Sequence, residues 1–226
     1  MAVYDHEEQE QLEELKTWWK LHGNLVTSIV VALALMVVAW QGWNWWQRKQ
    51  AGEAANIYAS VQRATAQHDA KRARDLAGEL IDKYSTTTYA PMAAMLSGRA
   101  QAEAGDLKNA KVQLQWAAEN AKDDALRDLA RLRLAVLLVE EKNYDDAVKQ
   151  LTAEPSSASF AARFNDLRGD VLALQGKSAE AKAAYEAAIN NLTAKADDAA
   201  SKTRRDPYKE MVQSKLEAAG SIGAGK

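Results

Sequence analysis

The residues best equipped for chemistry in this chain are few, and their spacing rules out most of it. The last seven residues, Gly220-Ser221-Ile222-Gly223-Ala224-Gly225-Lys226, spell the first part of a phosphate-binding loop. That loop works through a Ser or Thr after the lysine, which holds Mg2+, and through a helix whose N-terminal amides face the phosphates. Neither follows Lys226 in the sequence, so a disordered, solvated tail is expected over 220–226. His6, His22 and His68 are scattered without the spacing of a metal site. The chain has no cysteine, which excludes thiolate zinc sites, redox CxxC pairs and thiol nucleophiles. Hydroxyls and carboxylates are plentiful, yet none forms a recognisable nucleophile–base arrangement. The expectation is a chain with no catalytic residue, no metal and no cofactor, and binding is what remains.

Binding surfaces need elements to carry them. Ala, Leu, Lys, Glu, Gln and Asp dominate the 226 residues, which favours helix because straight side chains lose little rotamer freedom there. A formal net charge of −2 lacks the basic field of a nucleic-acid binder, so no nucleic acid is expected as a partner. The charge is uneven: Asp5, Glu7, Glu8, Glu10, Glu13 and Glu14 face only Lys16 and Lys20, giving residues 1–20 an acidic tail.

Residues 21–47 contain no charged side chain other than histidine. As a helix, Leu25 to Trp46 is roughly 33 Å long, enough to cross a hydrocarbon core of about 30 Å. Helix is the form one isolated span must take, since unpaired amides in lipid are costly. Trp18 and Trp19 precede the segment, and Trp40, Trp43, Trp45 and Trp46 close it, as indoles do at the two faces of a bilayer. A cleaved signal peptide has a shorter apolar run and a small-residue cleavage site instead. A transmembrane anchor over 21–47 is therefore expected, in contact with membrane lipid. Lys16 and Lys20 on one side nearly balance Arg48 and Lys49, then Arg63, on the other, a near tie that leans slightly toward a cytoplasmic C-terminal domain and does not settle the side.

The remainder repeats itself. A small residue (Gly98, Ala135, Gly169) is followed seven positions later by a turn position (Gly105, Lys142, Gly176). Five further on stands an alanine (Ala110, Ala147, Ala181), and four beyond it a large apolar residue (Leu114, Leu151, Tyr185). A fainter copy has His68 at the turn, with Ala73 and Ala77 after it. The alanines recur at intervals of 37, 37 and 34 residues. Such a unit is an αα-hairpin: the small residue admits the second helix, and the turn position takes the left-handed conformation that ends the first. One hairpin buries only part of its apolar surface, so hairpins stack. The spacing resembles that of tetratricopeptide repeats, with departures: Lys142 replaces a turn glycine and Glu154 stands where a small residue is expected. The fold class expected is all-α: one N-terminal transmembrane helix, then a tetratricopeptide-like αα-hairpin solenoid over 48–219 with about four hairpins. Asp206-Pro207 reads as the start of a capping helix with an apolar stripe of Tyr208, Met211, Val212 and Leu216. Residues 194–205 read as a polar connection or frayed helix.

The resemblance implies that partner polypeptides are held on a concave face lined by the first helix of each hairpin. It places Met92, Met95 and Arg99 there from one unit, Leu129, Leu132 and Val136 from the next, and Arg163, Asp166 and Asp170 from the last. Any one of these fits inter-helix packing equally well.

The whole chain resembles the YfgM family of bacterial inner-membrane proteins, ancillary subunits of the SecYEG translocon. The resemblance rests on EEQEQLEELKTWWKLHGN leading into a single span that ends in GWNWW, and on LRGDVLALQGKSAEAKAAYEAAI near the end. It implies a cytoplasmic N-terminus, a periplasmic repeat domain, and work beside a membrane-anchored periplasmic peptidyl-prolyl isomerase-type chaperone. The implied role is the passage of unfolded secreted polypeptides to periplasmic folding factors. An assembly scaffold of an envelope complex and a cytoplasm-facing targeting receptor remain as alternative readings.

Overall fold

The computed structural model describes residues 4–194 and 206–224, and among them there is helix and turn but no strand. In chain order the helices are α1 (Tyr4–Ala66), α2 (Ala70–Tyr84), α3 (Tyr89–Glu103), α4 (Leu107–Asn120), α5 (Asp124–Glu140), α6 (Tyr144–Thr152), α7 (Ala161–Leu174), α8 (Ser178–Ala194) and α9 (Pro207–Ala224). The chain divides into two compact units, Met1–Gln50 and Ala51–Lys226.

In the first unit, α1 carries a segment long and apolar enough to cross a membrane. Its side chains find no protein core. Leu25, Val31, Leu35, Met36 and Val38 are all more than half exposed, the surface a helix presents to lipid. Trp18, Trp19, Trp43, Trp45 and Trp46 also point outward, at the two ends of the apolar run. Trp18 stacks on His22 with ring centroids 5.4 Å apart, and the Lys49 ammonium lies 5.9 Å from the Trp45 ring centre.

In the second unit the hairpins close by one repeated device. His68, Gly105, Lys142 and Gly176, the four turn positions of the repeat, all have positive φ: 57°, 83°, 59° and 74°. At each, two backbone bonds seal the end of the first helix, as in Gly105 N–H to Ala102 O at 2.9 Å and Asp106 N–H to Gln101 O at 2.8 Å. The residue after the turn then starts the second helix. The Asp69 carboxylate accepts from Arg72 N–H, and the Asp106 carboxylate from Asn109 N–H. Lys142 adopts the glycine conformation despite its side chain.

Four buried alanines fill the points of closest helix approach. Ala73, Ala110, Ala147 and Ala181 are each fully buried. The small residues opposite leave no spare room. A Cβ on Gly98 would stand 3.0 Å from Leu114 Cγ and 3.2 Å from the Ala110 carbonyl oxygen. Ala117 and Ala188 are also fully buried, whereas Glu154 lies exposed in the α6–α7 connection.

Three cores run along the unit. Ala54, Val61 and Ala64 of α1 join Leu80 of α2 and Ala93 of α3. A middle core holds Leu114, Leu134, Leu138, Leu151 and Phe164. A third joins Leu172, Tyr185 and Ala188 to Val212 of α9. The fully buried Val212, worth about 1.5–3 kcal/mol, seats α9 on the last hairpin, with Tyr208 and Leu216 packed around it. Met211, read into that stripe, is 44% exposed, since it points away from the core beside Val212. Asp206 accepts from Tyr208 N–H at 3.0 Å and caps α9 ahead of Pro207. Helix extends to Ala224, into the segment read as a disordered tail, and residues 225–226 lie outside the described residues. So do 195–205, while Ala194 closes α8.

Candidate functional site: a groove between first helices

The first helices of two neighbouring hairpins, α3 and α5, bound an open groove of about 300 Å3. Gly98 and Leu114 lie at its floor, the glycine because no side chain fits above Leu114. Ala102 and Leu137 line its apolar wall, Val136 stands 44% exposed beside them, and Arg99, Arg133 and Glu140 supply charge. Arg99 bonds to Glu103 at 2.7 Å across one helical turn. Among the described residues Arg133 has no such carboxylate. Burial of its guanidinium and then the like charge of Arg99 push it below the usual arginine value.

Of the residues expected on a partner-facing surface, Arg99 and Val136 meet at this groove. Met95 does not: it is only 3% exposed and belongs to the middle core, which corrects its reading as a surface residue. The first helix of an inner hairpin packs on its own second helix and on the hairpins either side, so it buries more than one face. Leu129 and Leu132 are partly buried against the same core for that reason, and Met92 is partly buried on α3.

The last hairpin differs more. Asp166 and Asp170 do not stand ready for a ligand, because α9 occupies them. Lys215 Nζ donates to Asp166 at 2.8 Å and to Asp170 at 2.7 Å. Tyr208 Oη donates to Asp166 at 3.0 Å, and Tyr185 Oη to Asp170 at 2.9 Å. The Arg163 guanidinium lies 5.3 Å from the Tyr208 ring centre. Burial and the neighbouring carboxylates raise both tyrosines above their ordinary value. This clasp escaped the sequence reading because Lys215 is 45 and 49 residues from its partners.

A second hollow of about 540 Å3 lies by the α6–α7 connection, where Phe164, Asn165 and Arg168 face Asn190 and Asn191 of α8. Its border is tied down by Asp128, a fully buried carboxylate. Asp128 accepts from Ser157 N–H at 2.8 Å and pairs with Arg131, which also holds the carbonyls of Gln150 and Ala153. Among the described residues no group of three or more His, Cys, Asp or Glu could hold a metal ion.

An apolar helix of membrane-spanning length and a stack of αα-hairpins with a groove between first helices define a membrane-anchored helical-repeat protein. The repeat geometry agrees with comparison to known proteins. This chain belongs to the tetratricopeptide repeat-like family, whose model matches residues 16–221. It is 30% identical over 188 residues to a protein of Haemophilus influenzae named ancillary SecYEG translocon subunit, over 82% of this chain and 90% of that one. Relatives of the same name occur in Neisseria gonorrhoeae (30% identity, 82% of this chain and 89% of the relative) and Escherichia coli (29%, 84% and 91%). Among solved structures, MamA 41-end from Desulfovibrio magneticus RS-1 shares the fold, with a TM-score of 0.50 at 17% identity over 77% of this chain and 94% of that one.

Proposed function

We propose that this chain is a non-enzymatic, single-pass subunit of the bacterial inner membrane that associates with the SecYEG translocon and receives polypeptide on its hairpin domain. One observation carries the reading: relatives named ancillary SecYEG translocon subunit align along most of both chains, while the family model spans residues 16–221, anchor and repeats together. The open groove between α3 and α5 supports a polypeptide as the thing received, since it offers apolar wall and charge but no nucleophile. In this reading the N-terminus is cytoplasmic and the hairpins are periplasmic. The domain passes emerging chains to a membrane-anchored peptidyl-prolyl isomerase-type chaperone, and Trp18, Trp19, Trp43, Trp45 and Trp46 settle at the bilayer surfaces.

The absence of cysteine makes the test direct. Single cysteines at Ala179, which is exposed on α8, and at Ala2 would be labelled in whole cells with a membrane-impermeant maleimide. A photoreactive residue at Val136 would report neighbours by crosslinking in native membranes. Labelling at Ala179→Cys alone, with crosslinks to translocon subunits or nascent secreted chains, is the expected result. Labelling at Ala2→Cys alone would overturn the orientation and leave a cytoplasm-facing receptor as the better account.

A further inference from the structure

Three arginines of α5 sit in one short stretch, and two are spoken for. Arg127 bonds to Asp124 and to Ser156, and Arg131 holds Asp128 and two carbonyls. Arg133 differs: among the described residues no carboxylate pairs with it, and its charged neighbour is a second arginine, Arg99. Arg99 already holds Glu103 at 2.7 Å, so Arg133 is the guanidinium at this groove whose charge no carboxylate among the described residues offsets. The fork of a guanidinium suits a carboxylate, because two parallel N–H groups meet two oxygens.

The apolar part adjoins this pair. Val136 lies one turn from Arg133 on the same face of α5, with Leu137 and Ala102 completing the wall. Glu140, seven residues beyond Arg133, is roughly 10 Å away along the axis, so the groove is basic at one end and acidic at the other. It is open to solvent, and none of its lining residues is a chain end, so an internal segment with blocked ends can be offered to it.

Resting on the polypeptide-receiving reading above, we propose that the α3–α5 groove selects extended internal segments in which an acidic side chain neighbours an apolar one. The carboxylate pairs with Arg133, and the apolar side chain rests on Val136 and Leu137. The groove is thus a filter on sequence, not a general apolar trough.

The test uses the full chain in detergent micelles and decapeptides alternating Glu with Val and Leu, labelled with an uncharged boron-dipyrromethene dye. Their ends are acetylated and amidated, so that side-chain carboxylates alone are offered. Anisotropy titrations compare this peptide with Gln-for-Glu and Lys-for-Glu versions at low and high salt. The acidic peptide is expected to bind at least about fivefold tighter than the Gln peptide, with an advantage that shrinks as salt screens it. Arg133→Gln should erase the advantage of the acidic peptide over the Gln peptide. That variant should fold normally, since Arg133 lies at the surface, only partly desolvated against the groove wall, and among the described residues no carboxylate pairs with it. Val136→Gln should weaken both peptides alike. Equal binding of acidic, Gln and Lys peptides would overturn the proposal, as would an advantage that survives Arg133→Gln. A Gln peptide that gains affinity only when given a free C-terminal carboxylate would overturn it too, by moving the site to chain ends. None of these results touches translocon association, which the crosslinks in native membranes read separately.

Discussion

Gly169 and Tyr185 occupy one another's space: a Cβ placed on Gly169 would stand 2.5 Å from Cε1 of the Tyr185 ring. The contact joins α7 to α8 at the residue pair that the repeat places there, and it positions the Tyr185 hydroxyl on Asp170.

Gly169→Ala should therefore cost about 1–3 kcal/mol, since the rigid ring must shift or the helices must part. The change is expected to lower the melting temperature of the hairpin unit by several degrees. A variant that melts with the parent would show that Tyr185 has another place to go.

Lys215→Met removes the cation shared by Asp166 and Asp170. Asp166 is 7% exposed, so its charge is left poorly solvated, and the expected loss is about 1–3 kcal/mol, with Asp170's greater exposure holding it well short of a deep-core pair. The loss should be local. Amide hydrogen exchange in α9 should accelerate while that of α3 and α4 stays as it was, and uniform exchange in both regions would contradict the clasp.

The same clasp gives an alkaline limit. Burial would lower Lys215, but its bonds to Asp166 and Asp170 outweigh this and hold it above its ordinary value, and Tyr185 and Tyr208 are raised as well. A group raised in the folded state stabilises fully below its unfolded value and loses that contribution as pH rises through the folded one. Docking of α9 should thus be constant through neutral pH and weaken above about pH 10. Urea unfolding between pH 8 and 12 should show the decline, and a Lys215→Met, Tyr208→Phe double variant should reduce it to the part that Tyr185 contributes.

Lys142 holds φ at 59°, a conformation that glycine adopts at no steric cost. Lys142→Gly is expected to stabilise the α5–α6 hairpin by a few tenths to about 1 kcal/mol, read as a small rise in melting temperature. Gly176→Ala, at φ 74°, should move it the other way.

Much of the hairpin unit was legible because its grammar is local. Turn positions and buried alanines recur at fixed offsets, and even the faint copy at His68 and Ala73 takes the same turn and burial as the others. The groove was half legible. Arg99 and Val136 were found through the repeat pattern, but Arg133 was hidden in the apolar-looking run LARLRLAV. Its signal is negative: Arg127 and Arg131 have acidic residues three positions before them, at Asp124 and Asp128, and Arg133 has none. Met95 was misread because one period of sequence does not say how many faces of a helix will be covered. Asp166 and Asp170 looked free because the lysine that claims them arrives two helices later.

The three-residue turns within hairpins also decide where such a chain can change length. Residues 67–69, 104–106, 141–143 and 175–177 each end one helix and begin the next, with nothing to spare. One added residue there would break the paired backbone bonds that close the turn and draw the second helix's buried alanine away from its contact. The joints between hairpins obey no such rule: they span 85–88, 121–123 and 153–160. Insertions, epitope tags and protease sites should be accepted more readily at the 85–88 joint than within hairpins, whereas the 153–160 joint is held by Asp128, Arg127 and Arg131 and should resist them.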